Sequence, residues 1–325
     1  MLKLITGSFD DFRQDWQYLY SRSSARVLFS SSGWSELWWS HFGSASKLCL
    51  AAVMEDQEVI GIAPLRRENG TLFFIGSNSV CDFLDFIVAE GKEEPFFNTL
   101  LENLSTLGGD GLDLFSLLPD SNVRRFLVPM AEKTGLNVSC SQDDMTVVLK
   151  LPEDLPSYLS ALNGKQRHEI LRKERRLNEE GEITFRTINR PSITDIDIFL
   201  LFFRESREDK NRFLTETMEA FFRDVVSLAA STDMLSMGLL ELNNSPVAAT
   251  LSFIYRNDVY LYNSGYNPDY RWLSVGVLSK YLRIKQSIEE KRGNFDFLRG
   301  GEKYKFHLGG TEAPLFRCII KNRVP

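Results

Sequence analysis

Glu302, Tyr304 and Lys305 follow a double glycine in Phe295-Asp296-Phe297-Leu298-Arg299-Gly300-Gly301-Glu302-Lys303-Tyr304-Lys305-Phe306-His307-Leu308-Gly309-Gly310. A strand that ends in Gly300-Gly301 lets backbone approach a ligand closely. Glu302 can accept a proton and Tyr304 can donate one. Lys305 can stabilise negative charge developing on a carbonyl oxygen. The plain alternative is a surface turn with a solvated lysine.

A second segment, Tyr266-Asn267-Pro268-Asp269-Tyr270-Arg271-Trp272-Leu273-Ser274-Val275-Gly276-Val277-Leu278, reads as strand, turn and helix start. Small residues at Ser274 and Gly276 leave N–H groups open there, and unpaired amides with the helix dipole favour a phosphate. Arg271 adds fixed positive charge. The competing reading is an ordinary helix cap, with Ser274 as the capping side chain.

The third is Gly164 to Leu177, with Lys165, Arg167, Arg172, Lys173, Arg175 and Arg176 inside twelve positions. Helical spacing puts His168, Arg172, Arg175 and Arg176 on one face and Ile170 with Leu177 on the apolar side. Such a face either grips a phosphate-bearing substrate or is simply solvated and paired with Glu169 and Glu174. Arg167, Arg172 and Arg176 are the substrate-binding candidates. Asp82 joins them, since Asp82 and Asp85 bracket a strand start where one can line a cleft or shape a turn.

Other chemistries lack their residues. His41, His168 and His307 match no metal-ligand spacing, so no metal is expected. There is no Gly-x-Ser-x-Gly elbow and no Walker loop. Cys49, Cys81, Cys140 and Cys318 lie far apart without a CxxC pair, and are expected as free buried thiols. Trp34, Trp38 and Trp39 are expected in the core.

The elements that must hold these segments are legible from periodicity. The chain has 325 residues, room for two domains, and its 43% hydrophobic and 25% charged residues are those of a globular protein. The longest apolar runs, such as Ile198 to Phe203, cannot span a bilayer. Without a leader-like opening, the expected address is cytoplasmic. Charge is uneven. Residues 1–150 hold 12 Lys+Arg against 20 Asp+Glu, a net −8, and the remainder hold 26 against 24, a net +2. A polyanionic partner should meet the second half, but the field is too weak for a duplex nucleic-acid binder.

In the first half, helices are expected at Phe9–Tyr20 and Trp34–Phe42, the second capped by the Ser30–Ser32 turn. Strands follow at Leu48–Met54, Val59–Leu65, Thr71–Ile75 and Asp82–Val88. A helix is expected over Pro95–Leu107, a strand over Leu112–Leu118, a helix over Asn122–Thr134 and a strand over Met145–Leu151. Helices at Leu155–Leu162 and Gln166–Asn178 open the second half. Then come strand Ile183–Ile188, helices near Ile193–Glu205 and Thr215–Ala230, and the hairpin Leu235–Leu242 with Val247–Tyr255. Strand Val259–Tyr266, helix Val275–Lys291, strand Phe295–Leu298 and strand Leu315–Lys321 complete it. Gly111-Leu112-Asp113-Leu114-Phe115 and Gly293-Asn294-Phe295-Asp296-Phe297 occupy equivalent places. The simplest architecture is a mixed α/β sheet with helices on both faces, duplicated once. Two unrelated α/β domains are the alternative.

On Phe29–Phe42, Lys165–Leu177, Tyr262–Leu278 and Phe295–Gly310 the sequence resembles the CelD/BioF-like acetyltransferases of the GNAT superfamily, which are similar to the FemAB peptidoglycan aminoacyltransferases. The resemblance implies tandem GNAT-like domains of the α+β kind, each a mostly antiparallel mixed sheet with helices on both faces. The domains are expected at 1–151 and 152–325, with the last strand able to pack back on the first. It implies acyl transfer to an amine without a covalent enzyme intermediate. In GNAT enzymes a Gln/Arg-x-x-Gly-x-Gly/Ala loop holds the coenzyme A pyrophosphate. Arg271, Ser274, Val275 and Gly276 stand there, matching at Arg271 and Gly276, with Ser274 in place of the first glycine. Tyr304-Lys305 matches the aromatic-Lys pair near the reacting carbonyl in Fem-type enzymes. The implied donor is acetyl-CoA or another acyl-CoA. The implied acceptor is a sugar- or peptide-linked precursor of the cell envelope, as in polysaccharide or peptidoglycan biosynthesis. Two rival readings are a transferase that uses charged tRNA and a non-catalytic scaffold in polysaccharide assembly.

Overall fold

The structure is a computed structural model, and it describes residues 1–23 and 28–321. The chain divides into two compact units: Met1–Met145 with the chain end from Pro314, and Thr146–Ala313.

The first unit opens with β1 (Leu2–Thr6), a short, largely exposed strand without a readable apolar period, which pairs antiparallel to β2 (Lys47–Glu55). Helix α1 (Phe9–Arg22) starts at a reciprocal Ser8/Asp11 capping box, and α2 (Ser32–Phe42) starts where Ser31 accepts the Trp34 N–H. Buried Trp34 and Trp38 are core residues. Strands β3 (Glu58–Glu68) and β4 (Thr71–Phe74) follow. The expected Asp82–Val88 strand is confined to β5 (Ile87–Val88). Here the Asp85 carboxylate accepts the Phe86, Asn122 and Val123 N–H groups, so local side-chain bonding replaces a ladder. Helix α3 (Glu93–Glu102) ends earlier than expected. After β6 (Gly111–Leu117), the expected 122–134 helix begins as a π turn over Val123–Leu127 before α4 (Val128–Lys133). Strand β7 (Asn137–Lys150) starts eight residues sooner than its apolar part, because its outer stretch is polar and solvent-facing.

The second unit contains α5 (Leu155–Ala161), α6 (Gly164–Glu179), β8 (Ile183–Ile188), α7 (Ile193–Ser206), α8 (Glu208–Phe213), α9 (Glu216–Ser231), β9 (Leu235–Leu242), β10 (Ser245–Tyr255), β11 (Asp258–Tyr266), α10 (Val275–Glu289), β12 (Asn294–Arg299) and α11 (Lys303–His307). Helices α8 and α11 escaped the periodicity argument because each is barely more than one turn. The last strand, β13 (Thr311–Lys321), ends in the first unit, where Phe316–Lys321 pairs antiparallel to β6.

The two units repeat one topology. Strand order is β1-β2-β3-β4-β6 in the first and β8-β9-β10-β11-β12 in the second, antiparallel up to the last pair, which is parallel in both. The repeat extends to backbone detail. Ser116 (φ 58°) and Leu298 (φ 60°) each lie five residues after a glycine at the strand start, Gly111 as the first residue of β6 and Gly293 just before β12. The fold is therefore a mixed, mostly antiparallel α/β sheet with helices, built twice.

The expectation of four free thiols is corrected. Cys49 and Cys81 are buried thiols outside any disulfide, but Cys140 on β7 and Cys318 on β13 are bonded across a separation of 178 residues. Sequence distance hid the pair, because neighbouring strands bring remote positions together. Among the described residues, no helix is long and apolar enough to cross a membrane.

Candidate active site

The site is built where a parallel strand pair parts. Strands β11 and β12 are in register only at Val259/Phe295 and Tyr260/Asp296, although β11 continues to Tyr266 and β12 to Arg299. Beyond that point Asp296 organises β12. Its Oδ1 accepts the Thr146 hydroxyl at 2.8 Å and the Leu298 N–H at 2.9 Å, holding Leu298 in its left-handed conformation.

Beyond β11 the chain makes a 3-10 turn over Pro268–Leu273, entered through Asn267, whose side chain accepts the Asp269 N–H. Ser274 is left-handed (φ 60°, ψ 29°), and its side chain makes no capping bond. The plain-cap alternative is thus not realised: the Ser274 carbonyl, not its hydroxyl, serves the helix by accepting the Val277 and Leu278 N–H groups. The first amides of α10 lie outside the intrahelical ladder by geometry. Gly276 is required for space. A Cβ there would sit 2.7 Å from a Tyr266 ring carbon. Arg271 is exposed on the turn, and the Arg176 guanidinium lies 4.9 Å over the Trp272 ring.

On the β12 side the structure brings Glu302, Tyr304 and Lys305 together. Lys305 is 2% exposed, and its ammonium donates to the carbonyls of Leu298, Arg299 and Gly300 and meets Glu302 at 2.9 Å. Its donors therefore lock the end of β12 and the Gly300 turn (φ 101°). Burial pushes the Glu302 carboxyl up, but the Lys305 charge and hydrogen bond, helped by Arg207, outweigh it and leave the pKa below the ordinary value. Burial, reinforced by the Glu302 charge, raises the Tyr304 hydroxyl above the ordinary tyrosine value, which keeps it a proton donor.

Two further lysines were missed from sequence. Lys280 on α10 is 7% exposed, donates to the Gly276 carbonyl at 2.6 Å and lies 4.9 Å from the Tyr304 ring centroid. Burial, with the charges of Lys210 and Lys305, lowers it to about 7. Lys210 on α8 donates to the Ser264 carbonyl and lies 4.6 Å from the Phe203 ring; burial, then Arg207, lowers it to about 8. One signal was available for Lys280: it falls among Leu278, Tyr281 and Ile284 on the buried side of its helix.

A cleft of about 620 Å³ opens between α6, α10 and α11, with Ile170, Val277, Tyr304 and Leu308 among its apolar lining. Its basic lining is Lys165, His168, Lys173 and His307, with the carboxylate of Glu169 among them. The helix predicted for 166–178 is present and buries Ile170 and Leu177, but the arginines expected to meet the substrate do not line this cleft. Arg172 is held by Glu169 in a two-pronged pair at 2.9 Å, Arg167 reaches the Leu159 and Leu162 carbonyls, and Arg176 covers Trp272. Asp82 is half-buried in the first unit, in the loop before β5. Among the described residues, no cluster of three or more His, Cys, Asp or Glu could hold a metal ion.

Residues 164–306 match the family model for the acetyltransferase (GNAT) domain. No curated protein sequence matches the chain. Among solved structures it is similar to FemX, with 12% identity, TM-score 0.64 and coverage of 97% of this chain and 96% of that one. A tandem GNAT protein from the clavulanic acid biosynthesis pathway matches at 11% identity and TM-score 0.53, over 100% of both chains. L-PGS from Bacillus licheniformis matches at 10% identity and TM-score 0.56, over 94% of this chain and 90% of that one. At such identities the likeness is one of fold. Residues 164–306 thus match a GNAT acetyltransferase domain, and the chain has a fold similar to those of FemX and the tandem GNAT protein.

Proposed function

We propose that the protein transfers an acyl group from an acyl-CoA to an amine, at the end of β11 and β12 in the second unit. The observation that carries this reading is the turn into α10. Ser274 is left-handed, Gly276 is packed on Tyr266, the first amides of the helix are free of its ladder, and Arg271 is exposed on the turn that leads into them. Such a turn suits a diphosphate, because the partial charges and the guanidinium act in the same direction. Serine in place of the first loop glycine is compatible with the turn, since Ser274 already adopts the conformation a glycine would supply.

In this reading the amine nitrogen attacks the thioester carbonyl carbon and the C–S bond breaks. The amine proton passes to Glu302, directly or through water, and the departing thiolate takes a proton from Tyr304. Lys305 holds the end of β12 in place. It reaches a reacting oxygen only by giving up one of its present partners. The acceptor we favour is a sugar- or peptide-linked cell-envelope precursor, on the strength of the resemblance. A cytoplasmic address goes with an acyl-CoA donor.

The test is calorimetric titration of the purified protein with acetyl-CoA, and with coenzyme A as control. Saturable binding that is lost in Arg271→Ala supports the reading. Absence of binding by either ligand overturns it and directs the next titration to charged tRNA, where a steep salt dependence would mark a polyanion.

A further inference from the structure

The surroundings of Tyr304 hold more positive charge than the chain neutralises. Lys280, 7% exposed, and the part-buried Lys210 each lie against one carbonyl and one aromatic ring, on Gly276 with Tyr304 and on Ser264 with Phe203. An ammonium has three donors, and one on each lysine is accounted for by these carbonyls. The carboxylates that face them are already engaged: Glu302 meets Lys305 at 2.9 Å, and Asp209 is held by Arg207 at 2.8 and 2.9 Å. Lys280 feels Lys210, Lys305 and Glu302, and Lys210 feels Arg207, Asp209 and Glu302. With both lysines protonated, Lys280, Lys210, Lys305 and Arg207 stand against two carboxylates, Glu302 and Asp209, and the positive excess falls on the two lysines, whose direct partners are uncharged carbonyls and rings.

We propose that Lys280 and Lys210 receive an oxyanion of the acceptor, a carboxylate or phosphate carried on the molecule that bears the acceptor amine. The inference rests on the acyl-transfer reading and names the acceptor class within it. The donor's diphosphate belongs at the Arg271–Gly276 turn; Lys280 lies a helical turn further along α10, against the Tyr304 ring and within the field of Glu302. An anion there also reverses the desolvation penalty on the two lysines, so its binding draws protons from solvent.

The test titrates inorganic phosphate and, separately, acetate into the whole protein by calorimetry, in two buffers of different ionisation enthalpy. Saturable binding of at least one anion is expected, with proton uptake, and with affinity at least about tenfold weaker at about pH 9 than at about pH 6. Lys280→Met and Lys210→Met should each weaken it about tenfold or more, as loss of a charged hydrogen bond implies, and Lys280→Arg should restore part of it. Circular dichroism verifies that the methionine variants fold, and the buried position favours an unbranched apolar side chain. Phosphate binding alone identifies a phosphorylated acceptor, and acetate binding alone a carboxylate. No saturable binding at tens of millimolar overturns the proposal, as does equal binding by folded methionine variants or displacement of the ion by coenzyme A. Failure of acetyl-CoA to bind is a separate result, and it sinks the transferase reading without touching the anion titration.

Discussion

Thr146 donates its hydroxyl to Asp296 at 2.8 Å, joining β7 to β12 at the point where β12 leaves β11. The same carboxylate oxygen takes the Leu298 N–H, so one fully buried group fixes both the strand pairing and the left-handed residue that starts the Gly300 turn. In the first unit Asp113, one position out of step with Asp296 when Ser116 is aligned with Leu298, meets the Arg317 guanidinium in a bidentate pair at 2.6 and 2.7 Å. An aspartate early in the strand thus recurs in both copies, at a shifted position and with different partners.

Asp296→Ala leaves two buried donors without acceptors. Each costs roughly 1–3 kcal/mol, so a loss of about 2–6 kcal/mol is expected in urea denaturation. An unchanged midpoint would remove Asp296 from this role.

Gly276→Ala sets two effects against each other. Alanine improves helix propensity by about 1 kcal/mol, while the new Cβ meets the Tyr266 ring at 2.7 Å. The clash must move the ring or the turn. Stability should therefore change little, whereas acetyl-CoA affinity should fall about tenfold, as expected for the loss of one well-aimed anion contact. Wild-type affinity in the alanine variant would show that the turn does not hold the donor.

Lys305→Met removes the donors that the Leu298, Arg299 and Gly300 carbonyls share. The end of β12 should loosen while the turn at α10 stays intact. In steady-state kinetics kcat should drop by about a hundredfold or more, with acetyl-CoA affinity within a factor of about three. A parallel loss of donor binding would mean that Lys305 supports the whole site and not the reacting end alone.

Lys280 gives a pH signature. Burial lowers it to about 7 in the folded protein, whereas an unfolded lysine titrates near ~10.4. Between these values the unfolded chain binds a proton that the folded chain does not, so this residue makes stability rise with pH from about 7 to about 10. Below that window both states are protonated and the burial penalty is complete. Lys280→Met should accordingly stabilise the protein by a few kcal/mol at about pH 6, with the gain vanishing near about pH 10. Denaturation curves of the two proteins at both pH values test this, and a pH-independent difference would contradict it.

Apolar periodicity alone locates the long elements. Strand Ile183–Ile188 coincides with its expected limits, and Leu235–Leu242 and Val275–Glu289 lie within a residue or two of theirs. The duplication is visible in two glycine-led strand starts, because each copy needs the same bend at the same place. Local signals also sufficed where a cap is local, as at Ser31 and Trp34. They failed where an element is short, as at α8 and α11, or polar, as at the start of β7, since one turn of helix or an exposed strand leaves no period to read.

Residue types and order nominate Glu302, Tyr304 and Lys305 and the Arg271–Gly276 turn as candidates. Partners were decided by tertiary structure. Arg172 is committed to Glu169 on its own helix, Lys305 to three carbonyls, and Cys140 to Cys318. Lys210 and Lys280 acquire their character only when aromatic rings and a second lysine surround them. Sequence determines which groups the chain carries and which faces of its helices and strands are apolar, because those depend on neighbours a few positions away. Burial, charge balance and hydrogen-bond partnership depend on groups brought from tens to hundreds of positions away, so only the folded chain sets them.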